Sequence, residues 1–90
     1  MAASQSNIPL PITSALSLLG RRLTYSYRIP CSDRYSEPEL GLVIRAAVSV
    51  VGSGEKDGIT VRTDPNDPEI QHYYDLDEVR IYWIEPLRLP

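Results

Sequence analysis

Ile70-Gln71-His72-Tyr73-Tyr74-Asp75-Leu76-Asp77-Glu78-Val79-Arg80-Ile81-Tyr82-Trp83-Ile84 is the stretch on which the fold turns. It holds four of the chain's seven aromatic residues (six Tyr and one Trp), together with the only His. Two strand-forming runs flank a polar break at Asp75–Glu78. In an extended chain Val79, Ile81 and Trp83 point one way, and Arg80, Tyr82 and Ile84 the other. The reading is a strand, a tight turn and a closing strand that delivers Val79, Ile81 and Trp83 to a core. Asp75 or Asp77 is expected to cap the turn, because a short carboxylate can bond a nearby backbone N–H.

Upstream, residues 1–11 read as an extended lead, since Pro9 and Pro11 each push the preceding residue out of the helical region. Residues 12–19 predict a short helix capped by Thr13 or Ser14 and stopped by Gly20, with Ile12, Leu16 and Leu19 facing inward. From Gly20 the period changes to two. Leu23, Tyr25, Tyr27 and Ile29 alternate with Arg22, Thr24, Ser26 and Arg28, which predicts a half-buried strand. Pro30 to Pro38 forms a long loop of the kind that often carries binding. Leu40–Val51 is an apolar run about twice the usual strand length, so a bend is expected near Ala46-Ala47. Leu42, Ile44, Val48 and Val50 are placed in the core, with Val43, Ala47 and Val51 outside. Gly52–Gly58 is a flexible hairpin tip, Ile59–Thr63 a returning strand, and Asp64–Glu69 a second turn.

These elements, from Gly20 to Leu87, resemble in order and length the SH3-like small barrels, which end in a strand, one tight turn and a closing strand. The fold class implied is mostly β, one domain over 1–90, with a five-stranded SH3-like barrel over 20–87 behind the short helix. The alternative is an α+β protein, an open antiparallel sheet with one helix packed on it. Ile70-Gln71-His72-Tyr73 is also similar to the Val-Gln-Ile-Tyr stretch of the plasmid-borne type II dihydrofolate reductases, through Gln71 and Tyr73. Those enzymes are small barrels whose tetramers form a central pore, which implies a way of building a site between subunits.

Composition narrows the function. A chain of 90 residues buries roughly 60–65% of its unfolded surface, so each core side chain matters. A net charge of −3, with eight Arg and one Lys scattered along the chain, argues against a nucleic-acid surface. One cysteine, Cys31, excludes an internal disulfide and suits a reducing compartment, so a soluble cytoplasmic protein is expected. No apolar run is long enough to span a membrane.

Catalytic and metal chemistry find little support. Cys31, His72 and Asp75 are the residue types of a thiol triad, yet no oxyanion turn accompanies Cys31. One Cys and one His cannot make a zinc site, and Asp64–Glu69 lacks the central glycine of a calcium loop. No metal and no cofactor is expected. Apolar residues left outside the barrel (Val43, Ala47, Val51, Tyr82, Ile84) imply either a homo-oligomer or cover by the segment Ile8–Leu19. The reading is a non-catalytic binding or adaptor module, of a type suited to mobile DNA such as a phage, plasmid or integron cassette. It would present Gln71, His72, Tyr73, Tyr74, Tyr82, Tyr35 and Arg80 to a protein partner or to a second copy, since Tyr and Arg are enriched at interfaces. The competing reading is a small-molecule-binding protein or enzyme whose pocket, lined by Gln71, His72 and Tyr73, forms between subunits.

Overall fold

The computed structural model describes residues 8–12, 14–50 and 52–86. The expected lead over Met1–Asn7, the Thr13 cap, Val51 and the tail from Leu87 lie outside the described residues. The protein is mostly β, a single antiparallel sheet of five strands with almost no helix. The strands are β1 (Arg22–Tyr27), β2 (Glu39–Ala47), β3 (Gly58–Arg62), β4 (Gln71–Asp75) and β5 (Val79–Ile84), in the spatial order β4-β3-β2-β1-β5. The sheet is not closed into a barrel: β4 and β5 are its two edges, joined in sequence by a 3₁₀ turn at Leu76–Glu78.

The sheet nonetheless curls. Tyr74 of β4 stacks on Tyr27 of β1, with ring centroids 5.1 Å apart and planes 17° apart. Three strand spacings separate those strands, about 14 Å in a flat sheet. The inner face is therefore rolled over a core of Ala15, Leu18, Leu23, Tyr25, Val43, Ile59, Val61 and Ile81. Tyr27, Ala46, Tyr74, Leu76, Val79 and Ile84 pack around it.

The expected helix over 12–19 is a single 3₁₀ turn, Leu16–Leu18. Its geometry explains which leucine is buried. A 3₁₀ turn has three residues per turn, so Ala15 and Leu18 fall on one face. Both are fully buried, while Leu16 and Leu19, expected inside, are 60% and 45% exposed. Gly20 does end the turn with φ of 78°, a left-handed conformation that glycine adopts without steric cost. Leu10 and Ile12 also pack on the core, so the N-terminal segment covers the inner face of the sheet.

Register shifts on β2 and β5 mean that no single alternation describes either strand, and the expected core faces change with them. On β2 the ladder passes from Val43↔Val61 to Arg45↔Thr60, leaving Ile44 as the extra residue. Val43, expected outside, is fully buried; Leu42 stands on the outer face between Arg22 and Arg62. Both faces of β2 are apolar, so alternation could not choose between them. Gly41 does: the Tyr25 ring and Val61 occupy the space that a side chain there would fill. The bend falls at Ile44 rather than at Ala46-Ala47, and the strand stops at Ala47. Ser49 turns away there, its N–H and hydroxyl both donating to Asp57 Oδ1 at 2.9 Å. Val48 and Val50, expected in the core, are 58% and 72% exposed.

On β5 the shift falls between Tyr25↔Ile81 and Thr24↔Trp83, leaving Tyr82 as the extra residue. Ile81 and Ile84 then both face the core, three apart instead of two, while Trp83 turns outward opposite Thr24. The expected core set Val79/Ile81/Trp83 is in fact Val79/Ile81/Ile84. Asp75 sits at the cap position of the Leu76–Glu78 turn but makes no side-chain cap bond.

Candidate functional site

The displaced tryptophan stands on the outer face of the sheet, over β2, β1 and β5. Leu40, Thr24 and Trp83 form one cross-strand row, and Ser26 and Arg80 pair in the next. Thr24 and Ser26 are buried although they face outward, so this side of β1 is covered by its neighbours' larger side chains. The Tyr82 and Ser26 hydroxyls are hydrogen-bonded at 3.0 Å. The Arg80 guanidinium lies 3.8 Å from the centre of the Tyr35 ring, a cation–π contact.

Tyr35 is delivered there by a loop tied to its own base. Arg28 and Tyr35 form an isolated β-bridge, and Ile29 N–H donates to the Arg34 carbonyl at 2.8 Å. Ser36 N–H donates to the Tyr27 carbonyl (2.8 Å), and its hydroxyl accepts from Tyr27 N–H (3.0 Å). An ion pair of 2.9 Å from Arg28 to Glu78 fixes the same base to the 3₁₀ turn. The salt bridge holds the Arg28 guanidinium above its ordinary pKa, chiefly through the hydrogen bond to Glu78.

Of the seven residues singled out from sequence, three meet in this patch: Tyr35, Arg80 and Tyr82. The other four stand on β4, and they divide between its faces. Gln71 and Tyr73 lie on the outer face. His72, opposite Val61, and Tyr74, opposite Ile59, lie on the inner one. Tyr74 is the middle of an inner aromatic group, 5.8 Å from Tyr25 and 6.3 Å from His72 as well as stacked on Tyr27. Burial raises its pKa above the ordinary tyrosine value. Tyr25 is pushed up further, by burial first and then by the hydrogen bond its hydroxyl donates to Glu39 (2.9 Å). Neither hydroxyl is primed to lose a proton, and both rings pack against the core.

Sequence reasoning missed Leu40 and Trp83. Their signal is the pairing register, which depends on where a strand takes its extra residue. Cys31 is exposed in the β1–β2 loop with φ of 60°, and no hydrogen bond joins it to His72 or Asp75 among the described residues.

Clefts also lie at the surface of the described residues. One of about 410 Å³ is lined by Ile12, Lys56, Asp57, Leu76 and Asp77, and one of about 300 Å³ lies on the outer face between Arg22 and Arg62 over Leu40 and Leu42. Carboxylate oxygens of Asp75, Asp77 and Glu78 lie within 4.8 Å of one another. Two of these carboxylates already hold cations, Asp77 with Lys56 at 2.7 Å and Glu78 with Arg28. No helix among the described residues is long and apolar enough to cross a membrane. Compared with protein-family models, with curated proteins and with solved structures, the chain matches none.

Proposed function

We propose that the chain is a non-catalytic binding module of the SH3-like type, taking a protein partner on the outer patch formed by Trp83, Tyr82, Tyr35, Arg80 and Leu40. The observation that carries this reading is the outward turn of the only tryptophan into a row with Leu40, beside an arginine already seated on a tyrosine. Trp, Tyr and Arg dominate the energetics of protein interfaces, because each offers a large contact area with a polar handle. The tied loop and the Tyr82–Ser26 bond hold the patch in one shape before a partner arrives, which lowers the entropy lost on binding. The strand order, the 3₁₀ turn between β4 and β5 and the curl that brings Tyr74 onto Tyr27 support the SH3-like assignment. The lone exposed thiol of Cys31 suits a reducing, cytoplasmic setting.

A displayed library of random peptides tests the patch. The wild-type chain should enrich a common sequence class. Arg80→Glu, which leaves the core untouched, should lose that class, because it removes the cation on Tyr35 and places a carboxylate in the patch. Enrichment of the same peptides by Arg80→Glu would overturn the assignment of this surface.

A further inference from the structure

The two edges of the sheet are treated differently. β5 is guarded. Its ladder is broken by the extra residue Tyr82, and the N-terminal segment lies against it, with the Leu10 N–H donating to the Ile81 carbonyl at 2.7 Å. Pro9 and Pro11 on either side have no N–H to offer to a further strand. Bulges, prolines and covering segments are the devices that keep sheet edges from pairing with other chains.

β4 has none of them. Its five residues pair with β3 without a register shift, and no lysine or proline lies within it. Among the described residues, no backbone bond outside the ladder reaches His72, Tyr73 or Tyr74. Tyr73 is 55% exposed and covers Gly58, filling the place where a side chain would stand. The result is a straight strand edge bearing one charged residue, Asp75, at its end.

We propose that β4 pairs antiparallel with β4 of a second copy of this chain, continuing the sheet across a two-fold axis at Tyr73. Residues that meet across such an axis have numbers with a constant sum, and the sum must be even for like faces to adjoin. A centre at His72 or Tyr74 leaves two β4 residues of each copy without a β4 partner. A centre at Tyr73 engages all five. It sets Tyr73 against Tyr73, His72 against Tyr74, and Gln71 against Asp75 of the second copy. Within β4 no like charges then stand directly opposite, and each Asp75 carboxylate meets a Gln71 amide, which donates one hydrogen to the Pro68 carbonyl (2.8 Å) and has a second to offer. Cross-strand pairs of this kind are the unit of sheet stabilisation. A single short edge makes a small interface, so the dimer exchanges with monomer rather than standing as a permanent assembly. This surface is separate from the Trp83 patch, so either proposal can fail while the other stands.

Sedimentation equilibrium up to roughly 1 mM chain, at about 0.15 M salt, should show a monomer–dimer equilibrium. Gln71→Lys places a cation against Asp75 twice across the axis and should tighten the dimer. Gln71→Glu opposes two pairs of carboxylates and should weaken it. Each shift is about 2- to 30-fold in the dissociation constant, doubled pairs included. Asp33→Asn, an exposed change in the β1–β2 loop that shifts the net charge by the same +1 as Gln71→Lys, controls for net charge and should leave the constant unchanged. Amide exchange across His72–Tyr74 should slow as concentration rises. A chain that remains monomeric throughout, or Lys and Glu variants at Gln71 that shift association the same way, would overturn the proposal.

Discussion

Asp57 carries more of the local structure than its place in a loop suggests. Its carboxylate accepts from Ser49 N–H and hydroxyl and from Ala15 N–H, and its carbonyl accepts from Leu76 N–H. One residue therefore ties the N-terminal segment, the β2–β3 loop and the 3₁₀ turn before β5. Those bonds, Ser49 first and then Ala15, favour the ionised form and hold the carboxyl below its ordinary value of 3.8. The sign follows from linkage. A group whose pKa is depressed on folding contributes stability above the unfolded pKa and loses it as pH falls through the folded one. Asp57→Asn should lower the urea midpoint at pH 7, and the difference from wild type should shrink below pH 4. A gap that stays constant from pH 7 to pH 3 would mean that the carboxylate's charge is not what these bonds use.

At the scale of elements, the inner aromatic group decides how far the sheet rolls. Tyr27 and Tyr74 belong to strands separated by two others, and their stack forms only because the sheet curls. Offset aromatic pairs contribute about 0.5–1.5 kcal/mol beyond their buried area. A double-mutant cycle of Tyr27→Leu and Tyr74→Leu, followed by urea unfolding, should return a coupling energy in that range; additive losses would show that the stack contributes nothing of its own. The five strands were legible in the sequence, whereas the helix expected over 12–19 is only a 3₁₀ turn. The period-two pattern of Leu23, Tyr25 and Tyr27 marked β1, and the Asp75–Glu78 break between aromatic runs marked the β4–turn–β5 order. The faces of β2 and the far half of β5 were not legible. Each takes an extra residue, at Ile44 and Tyr82, and one such residue reverses every side chain beyond it. That is why alternation alone places Trp83 in the core, and why the sequence assembles only half of the candidate surface. Tyr35, Arg80 and Tyr82 belonged together, but Gln71 to Tyr74 lie on a different edge and divide between two faces.

The whole molecule is a curled sheet whose inner face is covered partly from outside the sheet. Leu18, and Ala15 at the cap position before its turn, are fully buried although the turn has only three residues. Leu18→Ala should therefore behave as a core truncation, costing about 2–5 kcal/mol. That is a large share of the roughly 5–15 kcal/mol that holds a domain together. Denaturation giving a loss under about 1 kcal/mol would mean that the N-terminal segment rests on the sheet without sealing it. Trp83 has a consequence of another kind. A protein whose sole indole is packed in its centre reports its own unfolding through that chromophore. Here the indole is half-buried on the outer face, so under the proposed binding its emission should shift when a partner occupies the patch. The proposed surface thus carries its own optical label.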